Sequence, residues 1–164
     1  VTVTSRVPAL IDYLYNLFSA DVTLGTAPAP GTVTVYDGPP TTLLDAPLKL
    51  YVGLTDPDNT GGETAADFVQ EWAAIGRRGR NEMVTIHCCA EAWSGTDDIR
   101  SMRVAVYAIV GAVETLLQAD TTQFGGNVLF PAPGMTTGSL LQNNAGAVTA
   151  RVPFDLTFKS RVGG

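Results

Sequence analysis

Apolar and polar positions along this chain fall into a few clean periods. Val7, Leu10, Ile11, Leu14, Leu17 and Phe18 recur at steps of three and four, which predicts an amphipathic helix over 8–19. Pro8 suits its first turn, where the missing N–H leaves no bond unmade. Short runs at 32–36 (TVTVY) and 48–54 (LKLYVGL) read as two strands that pair with each other across Asp37-Gly38-Pro39-Pro40 and the loop behind it. Residues 68–75 and 83–93 flank Gly76-Arg77-Arg78-Gly79-Arg80-Asn81 and predict a β-hairpin with a basic tip. A helical turn is the alternative for the first arm.

The longest period follows Ser94-Gly95-Thr96. Thr96 reads as an N-cap, and Asp97 and Asp98 as first-turn acids favoured by the helix dipole, opening a helix over 97–119. Ile99, Met102, Val106, Ile109, Val113 and Leu116 alternate steps of three and four. Burying six such side chains is worth on the order of 10–15 kcal/mol before chain entropy is subtracted. With strands on both sides in sequence, packing on the chain's own sheet is more economical than an intermolecular coiled coil.

The stretch from 131 to 146 has no period and reads as loop. In the last element, 147–159, Val148, Ala150, Val152, Phe154, Leu156 and Phe158 alternate with Thr149, Arg151, Pro153, Asp155, Thr157 and Lys159, the mark of an antiparallel strand with one wet or interfacial face. Pro153 places that strand at an edge or a bulge, at least locally.

Together these elements predict a single domain over 1–164 of the α/β (α+β) class. Its mostly antiparallel sheet carries a long central helix and the N-terminal amphipathic helix, with a β-hairpin and long loops. The loops at 20–31, 37–47, 55–64 and 131–146 exceed the usual four to six residues and suggest surfaces that partners hold.

Composition narrows the picture. Of 164 residues 45% are hydrophobic and 16% charged, which is globular rather than disordered. The net charge of −6 repels bare nucleic acid unless the ten basic residues gather on one face. Cys88 and Cys89 are neighbours on a strand and point to opposite faces, so no disulfide framework is expected, in keeping with a reducing cytoplasm. No apolar run nears a membrane span and no signal peptide opens the chain, so a soluble protein without a membrane partner is expected.

Candidate chemistry is sparse. His87 shares a strand face with Thr85, Cys89 and Glu91 but lacks an evident orienting group, so a half-buried strand residue is favoured over a hydrolase centre. Asp56-Pro57-Asp58-Asn59-Thr60-Gly61 with Asp67 at the twelfth position matches part of a calcium loop, yet Pro57 intrudes and a strand precedes it; an ordinary turn is favoured over a calcium-binding module. Glu63, Asp67, Glu71, Glu82 and Glu91 form no pattern that sets two carboxylates across a cleft. The glycines at 125–126 and 134–138 lack a phosphate-loop Lys-Ser/Thr, and Ser94 and Ser139 sit in no nucleophile elbow. No catalytic, cofactor-binding or metal-binding residue is predicted. Arg77, Arg78 and Arg80 form a basic cluster that serves either as a partner contact or as a solvated tip.

The order PALIDYLYNLF, TVTVYDGPP, LKLYVGL, EWAAIGRRGRNEMVTIHCCAEAWSG, DDIRSMRVAVYAIVGAVETLLQAD, FGGNVLFPAPG and ARVPFDLTFKSRV resembles the tail terminator (tail completion) proteins of long-tailed bacteriophages over nearly the whole chain. The resemblance implies a virion protein, assembled in the host cytoplasm, that forms a homo-oligomeric and usually hexameric ring at the head-proximal end of the tail tube. There it ends tube polymerisation and joins the tube protein to a head-completion or neck protein, with DNA passing through the lumen unbound. It carries no catalytic residues onto this chain. Another neck or tail component, a stopper or a tube subunit, is the alternative within the same class.

Overall fold

The computed structural model describes residues 4–21, 24, 33–40, 46–59, 61–74, 78–129, 134–144 and 146–163. The expected loop at 25–31, Thr60 of the calcium-like motif and Arg77 of the basic tip lie outside these residues.

The N-terminal period becomes helix α1 (Val7–Ala20), which buries Leu10, Leu14 and Phe18, with Pro8 in its first turn. The strands are β1 (Thr34–Asp37), β2 (Leu48–Val52), β3 (Ala66–Trp72), β4 (Arg80–Ser94), β5 (Gly134–Thr137), β6 (Leu141–Asn143) and β7 (Val148–Val162). They form one seven-stranded sheet ordered β1-β2-β4-β7-β5, with β3 also on β4 and β6 also on β7. Two strands of 15 residues each, β4 and β7, pair antiparallel over their full length, from Arg80↔Val162 to Ser94↔Val148. On the outer side of β4 the partner is β3 from Arg80 to Ile86 and β2 from Cys88 to Ala92. The β3–β4 hairpin and the β1–β2 pair are as expected, and β1–β2 is parallel.

The long period becomes helix α2 (Ile99–Ala119), which packs on β4 and β7. By length and composition it is apolar enough to cross a membrane, which corrects the expectation of no such run. Met102, Ala105, Val106, Ile109, Val110, Val113 and Leu117 bury one side of it in the core under the sheet. Leu117 is buried and Leu116 only partly, because a straight helix drifts about 20° per heptad from a 3.5-residue seam. The N-cap is Asp98, not Thr96: its carboxylate accepts from Ser101 N–H at 2.8 Å. Ser94 Oγ instead accepts from the N–H groups of Thr96 and Asp97, holding the turn that precedes the helix.

Past Ala119 the chain makes a short helical turn, α3 (Gln123–Gly126), in which Gln123 and Phe124 take left-handed φ of 53° and 52°. Such strain persists where surroundings over-determine it. Phe124 is sealed in the core with its ring edge-on to Tyr13 and Phe158, and Asp120 accepts from Tyr13 Oη at 2.5 Å and from Thr122 N–H at 2.7 Å.

Two expectations are corrected on β7. Part of the segment assigned to loop at 131–146 forms β5 and β6, both antiparallel to β7. Their strand character comes from ladder bonds to β7 rather than from any apolar period of their own. β7 is also a central strand despite Pro153. The His87 N–H donates to Ala65 O and the His87 carbonyl accepts from Gly53 and Leu54, so odd residues of β4 turn their backbone groups away from β7. Pro153, opposite Cys89, therefore needs no donor toward β4. Its nitrogen faces the gap between β5, which ends opposite Phe154, and β6, which begins opposite Arg151. Edge character survives at that one position.

The alternation splits the sheet into two unlike faces. Val84, Ile86, Cys88, Ala90 and Ala92 of β4 and Ala150, Val152, Phe154, Leu156 and Phe158 of β7 join the helices in one core. Among the described residues the opposite face carries no helix, and it holds His87, Asp155, Asp67, Lys49, Glu91 and Arg151.

Candidate functional site

Two clusters occupy the helix-free face, and a third gathers around one end of the sheet on both its sides. At its centre His87 bridges two strands: Nδ1 lies 2.6 Å from Asp155 Oδ1 on β7, and Nε2 lies 2.9 Å from Asp67 Oδ2 on β3. Burial lowers the imidazole pKa, but both carboxylates outweigh it and hold it above its ordinary value of 6.5. Once protonated, His87 donates from both nitrogens and cross-links the two strands as an imidazolium. Thr85 and Thr157 pair beside it at 3.3 Å. Both orienting carboxylates lie far from His87 in sequence, and only strand register brings them to it; the alternation placed His87 on the right face and could not supply the partners.

Toward the C-terminal end of β4, Lys49 Nζ contacts Glu91 Oε1 at 2.8 Å, both side chains nearly sealed from solvent. Arg151 Nε donates to the other Glu91 oxygen, and Arg151 NH1 reaches Asp58 Oδ2 at 2.6 Å and Asp56 Oδ1 at 3.6 Å. The hydrogen bond from Arg151 holds the Asp58 carboxyl below its usual range. The Asp56–Asp67 motif is thereby dispersed. Asp56 and Asp58 face a guanidinium, Asp56 Oδ1 also accepts from Asp58 N–H, and Asp67 sits on β3 against His87. Among the described residues no group of three or more His, Cys, Asp or Glu converges on a metal position. Tyr51, Leu54 and Cys89, with Tyr36 stacked on Tyr51 at 5.3 Å, form a small apolar cluster under the 55–64 loop.

The two cysteines part as alternation requires, Cys88 into the main core and Cys89 into this small cluster. Burial pushes both thiols up to about 12, which keeps them protonated and poor nucleophiles near neutral pH.

The third cluster lies at the opposite end, where β4 begins and β7 ends. Arg78 is exposed and Arg80 lies over the Trp72 ring at 5.9 Å. Arg161 donates to Asn81 Oδ1 through Nε and NH2, both at 3.2 Å, and its carbonyl accepts from Arg6 Nε. The basic tip therefore extends to Arg6, Lys159 and Arg161, which sequence spacing hides and the β4–β7 register shows. Gly79 makes the approach possible: a Cβ there would meet Gly163 O at 2.9 Å. A groove of about 570 Å³ runs beside the tip, lined by Val69, Met83 and Leu129 with Lys159 and Arg161. Phe68, Val69, Trp72 and Met83 are all strongly exposed here, on or against β3. The β3 edge bears neither Pro nor Lys, and its charged residues are Asp67 and Glu71.

Under this end, on the helix side, Glu82 is almost fully buried. It accepts from Ser5 Oγ at 2.6 Å, Arg6 N–H at 2.7 Å, Gln70 Nε2 at 2.8 Å and Ser160 Oγ at 3.3 Å. Burial alone raises its pKa; these bonds overcome that and set it below the ordinary 4.5. Glu82 thereby ties the start of α1 to the sheet. Neither protein-family models nor curated protein sequences match this chain.

Proposed function

We propose that this chain is a structural virion subunit that forms a ring at the head-proximal end of a phage tail tube, ends tube polymerisation and joins the tail to the neck. The observation that carries this reading is the helix-free face. Among the described residues no helix covers one side of the seven-stranded sheet, and exposed apolar side chains and an open strand edge without Pro or Lys lie at one end of the sheet. Side chains that would favour chemistry are engaged elsewhere: both His87 nitrogens meet carboxylates, and both thiols are buried and protonated. The acidic chain suits a lumen through which DNA slides without sticking. The resemblance in element order supports the same assignment.

The test is negative-stain microscopy of the purified chain joined to light scattering after size exclusion, with a phage lacking the gene as the functional arm. Closed rings, together with normal tail length and head joining restored in trans, are expected. Long filaments of the pure protein would point instead to a tube subunit. Full infectivity of the phage lacking the gene would remove the proposal.

A further inference from the structure

The sheet carries opposite charge at its two ends. At the end where β4 begins, Arg6, Arg78, Arg80, Lys159 and Arg161 gather against Glu71 and Glu82, a surplus of three positive charges among the described residues in a chain of net −6. At the other end Asp56, Asp58, Glu63 and Glu91 surround Lys49 and Arg151, a surplus of two negative charges. Lys159 and Arg151 are eight residues apart on β7, about 27 Å along the strand.

Each end also has its own groove and exposed apolar groups. The basic end has the 570 Å³ groove with Val69, Met83 and Leu129. The acidic end has a groove of about 170 Å³ lined by Asp58, Leu141, Gln142, Asn143, Thr149 and Arg151, with Leu141 exposed. Two unlike patches of opposite charge on one chain suit a second copy of that chain, since the same pairing can repeat from copy to copy. Mixed apolar and arginine character at the basic end is what protein contacts favour over bare phosphate binding.

We infer that the basic β3–β4–β7 end, with the groove beside it, docks onto the acidic group of Asp56, Asp58 and Glu63 and its groove on a second copy of this chain, a heterologous head-to-tail contact. This deepens the ring reading and rests on it, because a heterologous contact closes into a ring when its rotation permits and otherwise builds a filament.

Three proteins test it, each as the full chain: the native sequence, Arg78→Glu and Glu63→Lys. Arg78 is exposed at the hairpin, so its reversal leaves the fold intact, and thermal unfolding checks both variants. Sedimentation velocity is run at about 0.05 M and about 0.5 M salt. The native chain self-associates, and more weakly at high salt. Each variant alone associates about tenfold more weakly at low salt, and an equimolar mixture of the two recovers assembly, because every contact then has either two native or two reversed patches.

Should Glu63→Lys fail to fold, since Glu63 holds Thr55 N–H and Asn59, the Arg78→Glu and salt arms decide. Native-strength association of Arg78→Glu, or assembly indifferent to salt, overturns the inference and leaves the ring reading standing. A native chain that stays monomeric at low salt also overturns the inference. Salt-sensitive filaments abolished by Arg78→Glu uphold the contact while removing the terminator reading.

Discussion

The two faces of this sheet solve the burial of charge in different ways. Beneath the helices, Glu82 is held by neutral donors: two serine hydroxyls, one backbone N–H and one amide. On the open face, Glu91 is equally buried but is held by two cations, Lys49 and Arg151. The first arrangement sits at the end of the sheet where α1 begins, and polar side chains and a backbone N–H around the buried carboxylate satisfy it without a cation. The second suits a face without a helix layer, where a loop folds down and charges knit it to the strands. A face sealed by apolar packing serves folding. One knit by ion pairs, with apolar side chains left outside, is available for something else.

Breaking the covered face should have the largest effect. Phe158 is buried against Phe124, and Phe158→Ala is expected to cost about 3–5 kcal/mol in denaturant unfolding, since a ring-sized cavity opens and the strained turn at Phe124 loses its support. The open face should respond next. Arg151→Met leaves Glu91 facing Lys49 alone and frees the 55–64 loop, at an expected cost of about 3 kcal/mol. The triple change Lys49→Met, Glu91→Leu and Arg151→Met should recover most of that loss, because no buried charge is left unpaired. A triple variant as unstable as the single one would mean that the network, rather than the desolvated carboxylate, sets the cost.

Acid and alkali should separate the faces. The folded pKa of Glu82 lies below 4.5, so its contribution is fully present above that value and is lost as pH falls through the folded one. The folded pKa of His87 lies above 6.5, so its contribution is fully present below that value and is lost as pH rises through the folded one. Glu82→Gln should flatten the acid limb of the stability profile by about 1–2 kcal/mol, and His87→Asn the limb above neutrality by on the order of 1 kcal/mol. Urea midpoints measured across pH would show it; the same limb flattened by both variants would end the comparison.

Much of this plan can be read from residue order. Alternation in 148–158 and the period in 102–113 specify which side chains meet, because a strand or helix long enough to repeat its period leaves one choice of face. β5 and β6 could not be read that way: four and three residues carry no period, and only ladder bonds to β7 make them strands. Asp155 and Asp67 were visible as acids but not as partners of His87, since their meeting depends on registers set by three different strands. The same holds for Arg161 beside Asn81. The Asp56 motif misled in the opposite direction, its carboxylates being taken by an arginine far along the chain.

The smallest expected change in stability is the sharpest test of what the open end is for. Trp72 is 70% exposed, the most exposed large apolar side chain among the described residues. The Arg80 guanidinium lies over its ring at 5.9 Å. Surface changes away from caps, cavities and buried charges usually stay within about 0.5 kcal/mol, and an exposed cation–π contact adds about 0.5–1 kcal/mol. Trp72→Ala should therefore shift the unfolding midpoint by no more than about 1 kcal/mol while weakening self-association clearly, because truncating an interface tryptophan commonly costs about 2 kcal/mol or more in binding. Loss of stability with unchanged association would assign Trp72 to the fold and return the exposed edge of β3 to solvent.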